Sequence, residues 1–288
     1  MRIVVTGASG QLGRLVVASL LERVPASDLI LVSRTPESLA EFGAELRYGD
    51  FEHPESLPAA FQGGERALVI STIGARDGVA AHRAAFEAAA RSGIRQIVYT
   101  SVPNPVEDNP FPAARTHVRS EPDLRESGVE WTILRNSLYA ELRVRIAEKY
   151  VRDGRWTTNC GDGGHPFVAR TDCAEAAAVA LTTDGHAGKT YDITGPELVD
   201  ARRYSAFLED LAGRPIACEQ VDDAGYDRYR AAFAADPANA AYFELFTGTG
   251  QAIRGGQLGG PGAGVQELTG RPPLSLEDLR PGAPLRSP

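Results

Sequence analysis

Lysine is nearly missing from this chain of 288 residues: of 30 basic side chains, only Lys149 and Lys189 are lysines. The shortage reads as the arginine bias of a GC-rich bacterial coding sequence, and it excludes lysine chemistry elsewhere in the chain. Cysteine is scarce as well. Cys160, Cys173 and Cys218 are odd in number and widely spaced, which excludes a disulfide framework and a cysteine zinc motif; they are expected as reduced, partly buried thiols. The five histidines, His53, His82, His117, His165 and His186, show no metal-ligand spacing, so no metal is expected. No run of about eighteen apolar residues occurs, and the N-terminus opens directly on a strand, which predicts neither a membrane span nor a secretion signal. Positive charge is in deficit, and a formal net charge of -8 leaves no cationic surface for nucleic acid. These absences point to a soluble cytoplasmic protein, with 43% hydrophobic residues to fill a core.

What is present is concentrated near the start. Arg2 to Thr6 is an apolar strand, followed by Gly7, Gly10 and Gly13 at three-residue spacing, an amphipathic helix, a second strand from Leu29 to Ser33, and Arg34. A strand feeding a glycine turn and a helix aims several backbone N–H groups and the positive end of the helix dipole at one point, which suits a pyrophosphate. Gly7 permits the tight turn, Gly10 lets the backbone approach the phosphates, and Gly13 lets the helix pack on the strand. A carboxylate about twenty residues on would accept from the ribose hydroxyls of NAD, whereas an Arg there pairs with the extra phosphate of NADP. Arg34 ends the second strand and no acid follows until Glu37, so NADP(H) is the expected cofactor.

Strands alternate with helical stretches through the first half, the pattern of a parallel sheet covered on both faces. Strands are predicted near residues 2–6, 28–33, 45–48, 66–72, 95–101 and 129–135, with helices over 11–22, 36–42, 54–61, 78–92 and 115–127. Beyond Asn136 the pattern predicts a helix over 138–151, a helix opened by Asp172 with Glu175 three residues later, and a short strand from Lys189 to Ile193. Helices follow around 201–211, 224–235 and 239–253. The segment Gly255 to Gly264 reads as a loose glycine loop. The division expected is a dinucleotide-binding part over 1–155, to whose sheet 186–196 returns, and a smaller substrate or lid part over 156–288.

The chain resembles the atypical branch of the short-chain dehydrogenase/reductase superfamily, which includes NmrA-like proteins and type 2 NAD(P)H quinone oxidoreductases. The stretches that carry the resemblance are Val5 to Gly13, Val32-Ser-Arg34, Tyr99-Thr-Ser101, Thr132 to Asn136 with Tyr139, Phe167 to Asp172 with Ala174 to Ala178, and Tyr191 to Pro196. Leu268 to Pro273, followed by Leu276-Glu-Asp278, is similar to the branch's closing segment. The resemblance implies a Rossmann-type doubly wound parallel sheet with a smaller C-terminal α/β substrate-binding part, binding NADP(H) at the sheet's carboxyl edge. By position it places Gly7, Ser9, Gly10, Gln11, Leu12, Gly13, Arg34, Ser71, Thr72 and Ile73 around the cofactor, with the Asn136 to Tyr139 turn near the nicotinamide and Arg170 approaching from the other part.

Ordinary members of the superfamily pair a Tyr with a Lys four residues later, the Lys lowering the Tyr pKa for proton transfer. Here Arg145 precedes Lys149 by four residues and Gly185 precedes Lys189, so that pair cannot form. The corresponding helix holds His117 and Glu121 at i and i+4, a spacing that lets a carboxylate orient an imidazole. Pro122 is expected to kink or restart that helix, with Ser120 as a cap. His117, Tyr139 and Ser101 are the candidate catalytic residues, and each has a structural alternative: a surface histidine, a core aromatic, a capped sheet edge. Tyr226, Tyr229, Phe233, Tyr242, Phe243 and Phe246 either line an apolar pocket or form core.

A quinone or similarly conjugated aromatic acceptor is compatible with a site lacking a strong acid, because hydride transfer gives a delocalised anion and positioning supplies most of the catalysis. The favoured expectation is an NADPH-dependent reductase for a small aromatic or quinone-like substrate, acting as a monomer or homodimer. An NADP-sensing regulator without turnover, and a secondary-metabolism tailoring enzyme catalysing reduction, isomerisation or cyclisation, are the alternatives.

Overall fold

In the computed structural model, residues 1–72, 76–237 and 247–280 are described. The first half alternates β1 (Ile3–Thr6), α1 (Gln11–Leu21), β2 (Leu29–Ser33), β3 (Glu45–Tyr48), α2 (Leu57–Phe61), β4 (Arg66–Val69), α3 (Gly78–Arg91), β5 (Gln96–Ser101), α4 (Ala114–Glu126) and β6 (Glu130–Asn136). The segment 36–42 is a 3-10 helix rather than an α-helix. Seven strands make one parallel sheet in the order β3-β2-β1-β4-β5-β6-β8, the last being β8 (Lys189–Ile193) beside β6. The reversal between β1 and β4 opens a crevice at the carboxyl edge, the usual ligand position in such sheets. Strands β1, β2, β4 and β5 are buried along their whole length, as strands covered on both faces must be.

After β6 come α5 (Ala140–Asp153), β7 (Arg155–Thr158), α6 (Arg170–Thr182), β8, α7 (Ala201–Ala212), β9 (Ala217–Gln220), α8 (Asp223–Ala235), α9 (Thr247–Arg254) and α10 (Gly264–Thr269). Strands β7 and β9 pair in parallel as a separate two-stranded sheet. Neither is visible in the sequence pattern, because each has four residues and β9 is exposed throughout, so no alternation marks it. Helix α6 does not go with the smaller part, as a boundary at 155 implies. Its residues Cys173, Ala174 and 176–181 are buried in one cluster with β1 and α1, since a run of alanines permits close helix packing on a sheet.

The predicted capping box at Asp172 is also corrected. Helix α6 opens two residues earlier, after Ala169, and Glu141 accepts the Arg170 N–H at 2.8 Å. Asp172 and Glu175 instead hold Arg271, and Asp172 accepts the Leu274 N–H at 2.8 Å, which straps the C-terminal segment onto α6. The glycine stretch before α10 is the expected loop, open at Gly256, Gly259 and Gly260 and packed only at its end, where a Cβ at Gly262 would lie 3.1 Å from the Asp192 carbonyl oxygen and the Gly262 N–H donates to Thr194 Oγ1 at 2.7 Å.

A second cluster gathers Tyr150, Trp156, Tyr204, Phe207 and Phe233 between α5, α7 and α8, with Tyr229 packed against it. Tyr226 is buried too. These aromatics are core, while Tyr242, Phe243, Phe246 and the 239–246 stretch of the predicted helix lie outside the described residues.

Candidate active site

At the end of β1, Gly7 takes φ +63°, in the left-handed region that glycine tolerates, and its carbonyl accepts the Gly10 N–H at 3.0 Å. Gly10 precedes α1 without any side-chain cap, and no acid stands in the first turn. The first N–H groups of α1 are therefore open to an anion. A Cβ at Gly13 would lie 2.7 Å from the Ala8 Cα and closer still to the Gly7 carbonyl oxygen, so only glycine brings the helix this near the turn. Gln11 is exposed, whereas the Leu12 side chain is buried in the core and leaves its backbone at the turn. The Ser33 hydroxyl donates to Ser9 Oγ at 2.7 Å and ties the turn to β2.

Arg34, next in the chain, is exposed and makes no ion pair or hydrogen bond among the described residues. Arg14 nearby is fully engaged, by Glu41 and by the Ser38 carbonyl at 2.6 Å. Beyond β4 the loop is clamped from two sides: the Ser71 N–H donates to Thr100 Oγ1 at 2.8 Å and the Thr72 N–H to His82 Nε2 at 3.1 Å. Ile73 lies outside the described residues. A turn too tight for side chains, uncapped helix N–H groups and a free guanidinium at the β2 end together fit a dinucleotide carrying an additional phosphate.

At the carboxyl end of β6, Asn136 is buried with its Oδ1 unpaired, an acceptor suited to a carboxamide N–H. The chain then turns through Ser137, whose hydroxyl meets His165 Nε2 and the Pro166 carbonyl, each at 2.7 Å. The Leu138 N–H also donates to His165 Nε2, at 3.2 Å, so His165 is neutral with its proton on Nδ1; burial pushes it down to about 3. Tyr139 precedes α5 and pairs with Val168 as an isolated bridge. The Arg170 guanidinium lies 4.4 Å over its ring, and burial raises the phenol pKa above its ordinary value.

The predicted partnership of His117 with Glu121 is corrected by the geometry. Helix α4 runs through Pro122 without a break, and Ser120 caps nothing; it donates to the Thr116 carbonyl at 3.0 Å. Glu121 faces the sheet, where Ser101 Oγ, Arg135 Nε, Arg135 Nη2 and Arg125 Nη2 donate to it at 2.8 to 2.9 Å. Burial pushes its carboxyl up, but the Arg135 guanidinium, with Ser101 and Arg125, holds it below the ordinary value. This clamp pins the turn that proline would otherwise disfavour. Ser101, expected as a substrate contact, is buried and donates its hydroxyl to Glu121.

His117 belongs to a different network. Its Nδ1 meets the Tyr99 hydroxyl at 2.8 Å, and that hydroxyl meets His82 Nδ1 at 3.0 Å. Because His82 Nε2 accepts from Thr72, its proton sits on Nδ1. The His82 Nδ1–H is shared between the Tyr99 hydroxyl and Ser120 Oγ, the latter at 2.9 Å, and Tyr99 links this pair to His117 Nδ1. Burial pushes His117 down to about 3, with His82 adding to the effect, and pushes His82 down to about 4. Among the described residues, no group of His, Cys, Asp and Glu could hold a metal, and no helix is long and apolar enough to cross a membrane.

A family model described as NAD(P)H-binding matches residues 7–184, from the glycine turn to the end of α6. The chain belongs to this family. Quinone oxidoreductase 2 of Escherichia coli (strain K12) is 32% identical over 227 residues, covering 78% of this chain and 79% of the relative. Triphenylmethane reductase of Citrobacter sp., solved with NADP(H), is 31% identical with a TM-score of 0.85, over 94% of this chain and 96% of that one. The E. coli NADPH-dependent quinone oxidoreductase solved with NADPH gives a TM-score of 0.86 at 29% identity, over 95% and 96% of the two chains. The chain is an NAD(P)H-dependent oxidoreductase with a Rossmann-like sheet, and NAD(P)H is its cofactor.

Sequence reasoning misses several residues that hold the reductase's site together. His82 and Thr100 fix the cofactor loop, yet their only sequence signal is a polar side chain inside an otherwise small or apolar stretch. The Glu121 and Arg135 pair is separated by fourteen positions, and no periodicity links a helix to the strand that follows it. Ser137 with His165 is a similar case.

Proposed function

We propose that this protein is an NADPH-dependent reductase whose hydride acceptor is a quinone or a similarly conjugated aromatic molecule. The observation that carries the reading is that neither titratable candidate at the carboxyl edge is tuned to release a proton near neutrality. Tyr139 is shifted above its ordinary range, and the His117 imidazolium is disfavoured by burial. Lys149 pairs with Asp153, and Lys189 begins β8 at the amino end, so neither lysine assists a tyrosine. A simple ketone would need such an acid for its localised alkoxide. A quinone gives a delocalised hydroquinone anion that water can protonate afterwards.

NADPH supplies the hydride. In this reading the glycine turn with Ser9, Gln11 and Leu12 holds the pyrophosphate, Arg34 the additional phosphate, and Ser71 and Thr72 the nicotinamide ribose side. Asn136, Tyr139 and Arg170 orient the reacting face, and rate comes mainly from proximity. The names of the E. coli quinone oxidoreductase and the Citrobacter triphenylmethane reductase support an extended conjugated acceptor. The test is NADPH oxidation followed at its absorbance band with a panel of benzoquinones and naphthoquinones. Turnover on several quinones, and none on simple aliphatic ketones, is expected; tight NADPH binding with no oxidation by any quinone overturns the reading.

A further inference from the structure

Helix α5 buries one stripe, on which Ala140, Ala147 and Tyr150 are apolar or aromatic. Arg143 occupies the same stripe at helical spacing. Its guanidinium carbon lies 4.8 Å over the Phe167 ring and 5.3 Å over the Tyr204 ring, so the cation is held between two aromatic faces. Among the described residues it forms no ion pair and donates no side-chain hydrogen bond. Around it stand Tyr204, Tyr150 and Tyr226, phenols whose pKa values burial raises, so none of them offers a counter-charge. Cation–π contact offsets only part of the desolvation of such a group.

Arg143 lines a small cavity with Trp156, Thr158, Cys160, Phe167 and Tyr204, about 270 Å³ with its open mouth included. Asp200 also lines it, but Asp200 is the cap of α7 and accepts the Arg203 N–H at 2.7 Å. The cavity adjoins the acceptor side of the site. Tyr139 lies one helical turn before Arg143, and Phe167 immediately precedes Val168, the bridge partner of Tyr139.

We propose that Arg143 anchors a carboxylate borne by the acceptor, holding its conjugated ring beside Tyr139. This rests on the reductase reading above and narrows its substrate class to anionic conjugated acceptors. A planar carboxylate matches the guanidinium fork and can be held by it through two hydrogen bonds. The two aromatic rings keep the fork in place before the acceptor arrives.

A naphthoquinone carrying a carboxyethyl chain and its methyl ester differ in this one charge. In the full-length protein with NADPH, kcat/KM is expected to favour the acid by about tenfold or more. Arg143→Gln should collapse that preference toward unity, and Arg143→Lys should retain part of it. Equal kcat/KM for acid and ester in the parent, or an undiminished preference in Arg143→Gln, overturns the anchor. Binding of the same acid, read by quenching of tryptophan emission, separates this failure from failure of the reductase reading. If neither quinone is reduced but the acid still binds at least tenfold tighter than the ester, and Arg143→Gln abolishes the difference, the anchor stands and the reductase reading falls. If the parent binds both alike, the anchor falls whatever the turnover.

Discussion

The glycine turn after β1 and the outer face of β5 with α4 look equally functional in sequence, yet they differ in how their polar groups are used. At the turn, the α1 N–H groups have no cap and Arg34 has no partner among the described residues. Beneath α4, Ser101, Glu121, Arg125 and Arg135 bond to one another, and His117 Nδ1, Tyr99 and His82 do the same. Buried polar groups stabilise a fold when they are paired with one another, whereas exposed ones such as Arg34 are solvated and stay available to a ligand. The turn is thus open to a ligand, and the α4 region ties the sheet and the loop after β4 together.

Acid should produce the largest separation between the two regions. His82, His117 and His165 are held neutral, with pKa values near 4, 3 and 3, while in the unfolded chain they titrate near 6.5. Below about pH 6.5 the unfolded state binds more protons, so stability falls with pH, by roughly 2 kcal/mol per histidine between pH 7 and 5. Urea unfolding across this range checks it. A flat stability profile, together with a turnover limb near pH 6.5, would make His117 an ordinary catalytic imidazole and break the contrast. Glu121 acts lower: its contribution is present above its unfolded pKa and is lost as pH falls through the depressed folded value.

Next in size is Gly13→Val, which forces a side chain into the Ala8 backbone. It should cost about 3 kcal/mol of stability and remove measurable NADPH affinity; calorimetric titration showing parental affinity would remove the turn from the cofactor site. Glu121→Ala should lower stability by about 2 kcal/mol, less than a fully buried pair because Arg125 and Arg135 are partly exposed. Its NADPH affinity should change by less than about threefold, and a selective loss of NADPH binding would move the clamp into the site. Arg34→Asp should weaken NADPH by about tenfold or more and leave NADH nearly unaffected. Equal loss for both cofactors would separate Arg34 from the additional phosphate. The smallest effect belongs to Ser101→Ala, about 1 kcal/mol of stability, with turnover on quinones close to parental.

Local signals were enough for the cofactor side because its elements are contiguous: strand, turn, helix, strand and Arg34 occupy the first thirty-four residues. The acceptor side was less legible. The His117 and Glu121 spacing correctly places two residues on adjoining turns of one helix, but it cannot say that Arg135 and Ser101 reach the carboxylate first. Asp172 and Glu175 carry a valid capping pattern, yet Arg271, about a hundred residues on, takes both carboxylates. The β7 and β9 pair escaped because two short strands acquire their identity only from each other.

The sequence by itself determined the parallel sheet, the glycine turn and the cationic end of β2, since apolar periodicity and glycine conformational freedom act over a few residues. It also places no tyrosine four residues before either lysine. Only the tertiary structure decided which polar groups are engaged and which remain open, because that depends on partners brought together from distant positions. His117, Glu121 and Ser101 found such partners, whereas Arg34, at the end of β2, and Arg143, between two aromatic rings, have no ionic partner among the described residues.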